Sequence, residues 1–365
     1  MEGLSSEVQS ALQTLREEMK VSGMQSRPLR PVLIALAGHL LLGLGGLALF
    51  IFLDGPAWRV AALLASTFGF IGLGTLGHTA SHGGVSPSSF WNRLIFHVCY
   101  PMLLQFSASY WRHSHVQVHH PAPNVVGVDD DCDLLPVFAL NEEQLGSVNG
   151  LFRRWPVLQG MFLLAVLPFN GLNMMRQSWA FLLRALWSGS RREHWLDLGC
   201  LTVNVLAFLV IPMLFFSPAT VLLLFSVRVM LIGVGLFAVL APGHYPAQAA
   251  CLSADQRSAG DYYLRQTATT VNFKTGPIGR FLCSGLEYQI EHHLFPSISH
   301  IHYPALAPLV RKFCRDAGLP YRDMSWGRAI WESWRVFVRP KAVVHAVESL
   351  RVPPVATEPV EAARR

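Results

Sequence analysis

The chain has 365 residues, of which 52% are hydrophobic and 14% charged, with a mean hydropathy of +0.35. A soluble globular domain carries about 25% charged residues, so the composition excludes an ordinary soluble fold and predicts a membrane protein. The net charge of +6 does not predict nucleic-acid binding, because the arginines are spread through loops rather than gathered on one face. Taken in chain order, residues 1–30 form an amphipathic leader, with Leu4, Val8, Leu12, Leu15 and Met19 on one helical side. No apolar core follows a basic start there, so a cleavable signal is not expected.

Four apolar runs follow, at about 32–53, 57–77, 196–216 and 219–241, each near the ~20 residues a bilayer requires. The turns Asp54-Gly55-Pro56 and Ser217-Pro218 are too short to hold a domain, so the runs pair into two transmembrane hairpins. Stretches from Phe90 to Phe106 and Pro156 to Leu172 are broken by His97, Pro101, Pro168 and Asn170 and read as interfacial or re-entrant. Gly69, Gly72, Gly74 and Gly77 predict close helix packing, and Arg228 inside the fourth run implies either a buried partner or a span offset from these bounds. The expected fold is all-α and integral to the membrane: four transmembrane helices, interfacial helices, and a cytoplasmic helical cap. One domain spans 31–345, and 346–365 is expected to be disordered. Six cysteines, Cys99, Cys132, Cys200, Cys251, Cys283 and Cys314, form no C-x-x-C pair, which predicts reduced thiols.

Four crossings place the leader, the 78–195 segment and the 242–320 segment on one side. Arg27, Arg30, Arg93, Arg112, Arg153, Arg154, Arg191 and Arg192 lie there too, so the positive-inside rule predicts a cytoplasmic face. On it fall three histidine clusters: His78 and His82; His115, His119 and His120; His292 and His293, with Gln289 one turn before. Neutral imidazole is the commonest side-chain metal ligand, and many imidazoles with few carboxylates suit a transition metal. Residues four apart share a helical face, whereas adjacent residues point about 100° apart, so one helix can feed two metal ions. His113 is expected at the surface or behind the ligands. His39, His97, His194, His300, His302 and His345 are expected to be structural.

The segments His78-Thr-Ala-Ser-His82, Trp111 to Asn124 (WRHSHVQVHHPAPN) and Gln289 to Pro296 (QIEHHLFP) resemble the three histidine boxes of the membrane fatty acid desaturases, in particular the front-end and acyl-lipid branch. The resemblance covers roughly residues 60 to 320. It implies two iron ions held by His78, His82, His115, His119, His120, His292 and His293. His244 is the implied eighth ligand, although Gly243 stands where relatives usually carry asparagine. Gln289 is implied as a direct or water-mediated contact and Asn272 as a water-mediated one. Asp129 and Asp131 would hold ligand imidazoles from behind, unless 129–133 is simply a solvated loop.

An alkyl C–H bond offers no acidity to exploit, so the implied chemistry uses O2 and two electrons to remove two hydrogens from an acyl chain. No His-Pro-Gly-Gly haem motif precedes Pro31, so a separate donor is expected, cytochrome b5 or ferredoxin with its reductase. The expected partners are thus that donor, the lipid acyl substrate and membrane lipids, in a bacterial inner membrane or the endoplasmic reticulum. Hydroxylation, epoxidation or acetylenic bond formation on the same scaffold stays open. A metal transporter would carry its ligands within the spans, whereas seven of these eight lie outside the long apolar runs, and an inactive scaffold is the third alternative.

Overall fold

A computed structural model describes residues 6–189, 191–258 and 261–353. The chain is mostly helical, and five helical stretches are long and apolar enough to cross a membrane: Leu29–Phe52, Pro56–Ser81, Pro156–Gly189, Arg192–Leu214 and Pro218–Gly243. Four match the expected runs. The fifth, Pro156–Gly189, corrects the expectation of a weak stretch ending at Leu172. Its 34 residues hold a helix to Val166, a 3₁₀ turn at Leu167–Phe169 where Pro168 cannot donate to the ladder, and a second helix, Asn170–Gly189.

The first hairpin is closed by backbone contact. A Cβ on Gly69 would stand 2.2 Å from the Gly43 nitrogen and 2.7 Å from the His39 carbonyl, so only glycine lets these helices approach. Ser66 fixes the register by donating to the Gly43 carbonyl at 2.7 Å. The second hairpin turns at Ser217, whose hydroxyl accepts the Thr220 N–H, with Pro218 in the first helical turn. Among the described residues Arg228 finds no counter-ion. It lies among Phe208, Phe70 and Phe225, with ring centroids 4.0, 4.8 and 5.3 Å from its guanidinium carbon, and its Nη1 has no partner among the described residues.

The first helix, Ser6–Val21, buries Val8, Leu12, Leu15 and Met19 in a cluster with Leu306, Val310 and Phe313 of Tyr303–Asp316. Leu4 lies outside the described residues. Two short parallel pairings join distant segments: Cys251–Leu252 with Val343–Val344, and Asn272–Lys274 with Asp323–Ser325. The expected disordered tail is corrected in part, since Val347 is buried and the Val352 N–H bonds the Gly318 carbonyl; residues 354–365 lie outside the described residues. All six cysteines are free and buried.

Candidate metal centre

Pro56–Ser81 delivers His78 in its last turn and His82 just beyond it. The second box is wound as a π-helix, Arg112–His119, with the His120 N–H bonding back to the His115 carbonyl five residues earlier at 3.0 Å. Such segments recur where side chains must be re-aimed for function. Its start is pinned by buried Asp197, whose carboxylate accepts the Ser107 hydroxyl and the N–H groups of Ala108 and Ser109. His244 follows the Pro218–Leu240 helix after a 3₁₀ turn, and Gln289–Leu294 carries His292 and His293.

All eight imidazoles converge. His78, His82, His115, His120 and His292 form one group and His119, His244 and His293 a second, with ligand atoms inside each within 4.8 Å of one another. Adjacent residues divide between the groups, His119 from His120 and His292 from His293, as their angular separation predicts. His115 and His119, one turn apart, also divide, although their rings stack at 5.0 Å.

The donor set fits a metal pair. His78 Nε2 lies 2.7 Å from His115 Nε2, His115 Nε2 lies 3.2 Å from His120 Nε2, and His120 Nε2 lies 3.0 Å from His292 Nε2. Mutually facing ring nitrogens cannot all carry protons, and a cation among them resolves the conflict. His119 Nδ1 donates to Asp129 at 2.9 Å and His293 Nδ1 donates to the Gln266 side-chain oxygen at 2.9 Å. Both Nε2 atoms are thereby left as bare lone pairs, buried without a partner among the described residues. Burial, reinforced by neighbouring imidazoles, pushes His115, His120, His292 and His293 well below the ordinary histidine range and His244 down to about 3. The ligand-competent neutral form is therefore the resting one. His119 is the exception: burial alone would lower it, but the Asp129 carboxylate outweighs that and raises it.

The remaining expected residues divide. Asp129 is buried and also accepts the Asn124 N–H at 2.8 Å. Asp131 is half exposed, its oxygen 3.6 Å from His119 Nδ1. Gln289 is buried over Gly243, where a Cβ would stand 2.4 Å from its Cγ; the missing asparagine at 243 thus makes room for Gln289. Asn272 is corrected as a metal contact. Its oxygen accepts the Ile290 N–H, and its nitrogen donates to Glu291 at 2.7 Å and Tyr321 at 2.9 Å, so it clamps the third box instead. His113 is exposed and stacks on Phe181.

Four supporting residues carry no local sequence signal. Gln266 also donates to the His120 carbonyl at 2.9 Å, joining the second and third boxes. Asn124, in a left-handed conformation at φ 55°, bonds the carbonyls of His244, Ala250 and Thr269. Lys341 donates to the carbonyls of His244 and Ala249, both at 2.7 Å. Trp111 stacks on His115 at 4.5 Å. Only the WRHSH context hinted at the last. A narrow, mostly apolar void of about 10 Å³, room for one water-sized group, touches His78 and is bordered by Thr75, Tyr100, Leu104, Phe106, Trp111 and Leu286.

Fold and site together define a multi-pass helical membrane protein with a buried polyhistidine centre at one end of its spans. The chain belongs to the fatty acid desaturase family, whose profile, described as "Fatty acid desaturase", matches residues 56–325. Among its relatives are the Delta(5) fatty acid desaturase fat-4 of Caenorhabditis elegans, 31% identical over 71% of this chain and 58% of that protein, and the Delta(8)-fatty-acid desaturase of Euglena gracilis, 28% identical over 87% and 75%. Fatty acid desaturase 3 of Homo sapiens is 27% identical over 75% of this chain and 60% of that protein. The chain thus spans under two thirds of the nematode and human relatives.

Proposed function

We propose that this protein is an O2-dependent desaturase that inserts a double bond into a lipid acyl chain. The observation that carries the reading is the convergence of eight imidazoles into two groups. His78, His82, His115, His120 and His292 would hold one iron and His119, His244 and His293 the other, with Gln289 beside them. When bound, the irons supply the O2 chemistry that C–H cleavage needs: –CH2–CH2– + O2 + 2 e− + 2 H+ gives –CH=CH– + 2 H2O. The residues do the rest. Asp129 and Gln266 fix the protons of His119 and His293 on Nδ1, and Trp111 and Tyr100 wall off water beside His78.

Four crossings and a shared cytoplasmic face are supported by parity. His119 and His244 rings lie 4.5 Å apart, so an even number of crossings separates them. Arg192–Leu214 and Pro218–Gly243 supply two, and the broken Pro156–Gly189 stretch stays on one side. We place that side on the cytoplasmic face of a bacterial inner membrane or of the endoplasmic reticulum membrane, on the arginine distribution. A separate donor, cytochrome b5 or ferredoxin with its reductase, would dock there; repeated turnover of the purified chain with NAD(P)H alone would refute it.

The test is fatty acid methyl ester analysis, with double-bond location, of a host expressing the protein or its His292→Ala/His293→Ala variant. A new unsaturated species made only by the parent protein is expected. A hydroxylated species would change the reaction assigned, and an iron-free purified protein would overturn the reading.

A further inference from the structure

A second cavity of different chemistry lies close in sequence to the first two histidine boxes. Ala80 and Ser81, which line it, continue the helix that carries His78, and Arg112, which also lines it, follows Trp111. The second has a volume of about 300 Å³ and is lined by three arginines, Arg27, Arg93 and Arg112, together with Ser81, Ser89 and Asn92; none of its lining residues is acidic. Its walls are fixed. The Asn92 side chain accepts the Val85 N–H at 3.1 Å and donates to the Ser86 and Ser88 carbonyls at 2.6 and 2.9 Å. Arg27 is held at the rim by its Nε, which donates to the Ser297 carbonyl at 3.0 Å. Glu193 approaches Arg112 at 3.4 Å, but that pair is partly solvated and leaves the pocket strongly positive.

We propose that this pocket binds the phosphate of the acyl substrate's head group. The inference rests on the desaturase reading and deepens it. Guanidinium groups match phosphate with paired N–H donors, and three of them converging on one recess supply more donors than a carboxylate or a neutral ester can use. The recess is also of the size that small-molecule head groups fill, whereas a docking protein needs an open face of about 800 Å². The phosphate source is either coenzyme A or a membrane phospholipid.

Arg27→Gln/Arg93→Gln tests this, with Arg112 left in place because its neighbour Trp111 stacks on His115. With intact iron content, KM for a phosphate-bearing acyl donor should rise about tenfold or more while kcat stays within about twofold. Turnover of an acyl ethyl ester should not change, and Arg257→Gln, an exposed arginine elsewhere on the protein, should alter nothing. A KM effect confined to acyl-CoA assigns the pocket to the nucleotide, and one confined to phospholipid assigns it to the bilayer. Unchanged KM on both donors overturns the proposal, as does an equal loss on the ethyl ester. A slower reduction by the donor protein with lipid KM unchanged also overturns it, in favour of protein docking. Should the parent protein form no unsaturated product, the desaturase reading fails separately. The pocket is then judged by titrating iron-free protein and double variant with coenzyme A and with dihexanoylphosphatidylglycerol; weaker binding by the variant upholds it and equal affinity overturns it.

Discussion

Replacing Asp129 with asparagine changes one atom and should release one iron. The carboxylate accepts three N–H groups: His119 Nδ1 and the Asn124 N–H on one oxygen, at 2.9 and 2.8 Å, and the Asp131 N–H on the other at 3.1 Å. An amide offers a single acceptor. With its oxygen toward His119, its NH2 group faces the Asp131 N–H. With the amide reversed, it faces the Asn124 N–H and donates to His119 Nδ1, which drives the imidazole proton onto Nε2 and blocks the atom that faces His244 and His293. A hydrogen bond to a charged group is worth about 1.5–3 kcal/mol, and an unsatisfied buried donor costs about 1–3 kcal/mol more. Changes behind a metal ligand typically cost about 10–100-fold in metal affinity. Purified Asp129→Asn should therefore keep the iron of the five-imidazole group and lose that of the three-imidazole group at chelator concentrations the parent protein withstands, with a lower melting temperature. Plasma mass spectrometry of the dialysed protein reads this directly. Equal iron retention with an unchanged melting temperature would refute the reasoning.

Gly69→Ala should destabilise the first hairpin by about 1–3 kcal/mol or more, because its Cβ meets backbone atoms of Gly43 and His39 that cannot swing aside; thermal unfolding in detergent checks it. Arg228→Met should be neutral or stabilising, since the guanidinium has no counter-ion to lose among the described residues, and a large drop in melting temperature would disprove that account. Acid should unfold the iron-free protein. His244 titrates at about 3 when folded, and His115, His120, His292 and His293 are pushed well below their ordinary 6.5, whereas the unfolded chain takes up protons near 6.5. The unfolded state thus binds more protons between these values, and stability is complete above pH 6.5 and falls as pH drops through the window, by about 1.4 kcal/mol per histidine per pH unit. A flat melting temperature across that window would contradict it.

The one-residue spacings were legible because their geometry is local, adjacent histidines pointing to different groups, whereas the four-residue spacing of His115 and His119 misled because the segment winds as a π-helix. The apolar helices were legible because length and hydropathy are properties of a segment, although the helix from Asn170 to Gly189 was missed. What escaped were interactions that join segments. Gln266 reaches His120 across 146 residues, and Lys341 reaches His244 across 97, and neither residue type at such distances marks anything in a linear reading. Asn272 misled for the opposite reason. It lies near the third box in sequence, yet Glu291 and Tyr321 occupy its amide. Arg228 was expected to find a buried partner of unspecified kind, and three aromatic faces take that place.

The convergence of imidazoles also sets an order of events during synthesis. His78 leaves the ribosome 215 residues before His293, which at about 5–20 residues per second is an interval of roughly 10–40 s. Through that interval neither group of imidazoles is complete, because each needs a residue from the third box. A chain that stalls or is cut before residue 292 therefore leaves both imidazole groups incomplete, each short of its third-box member.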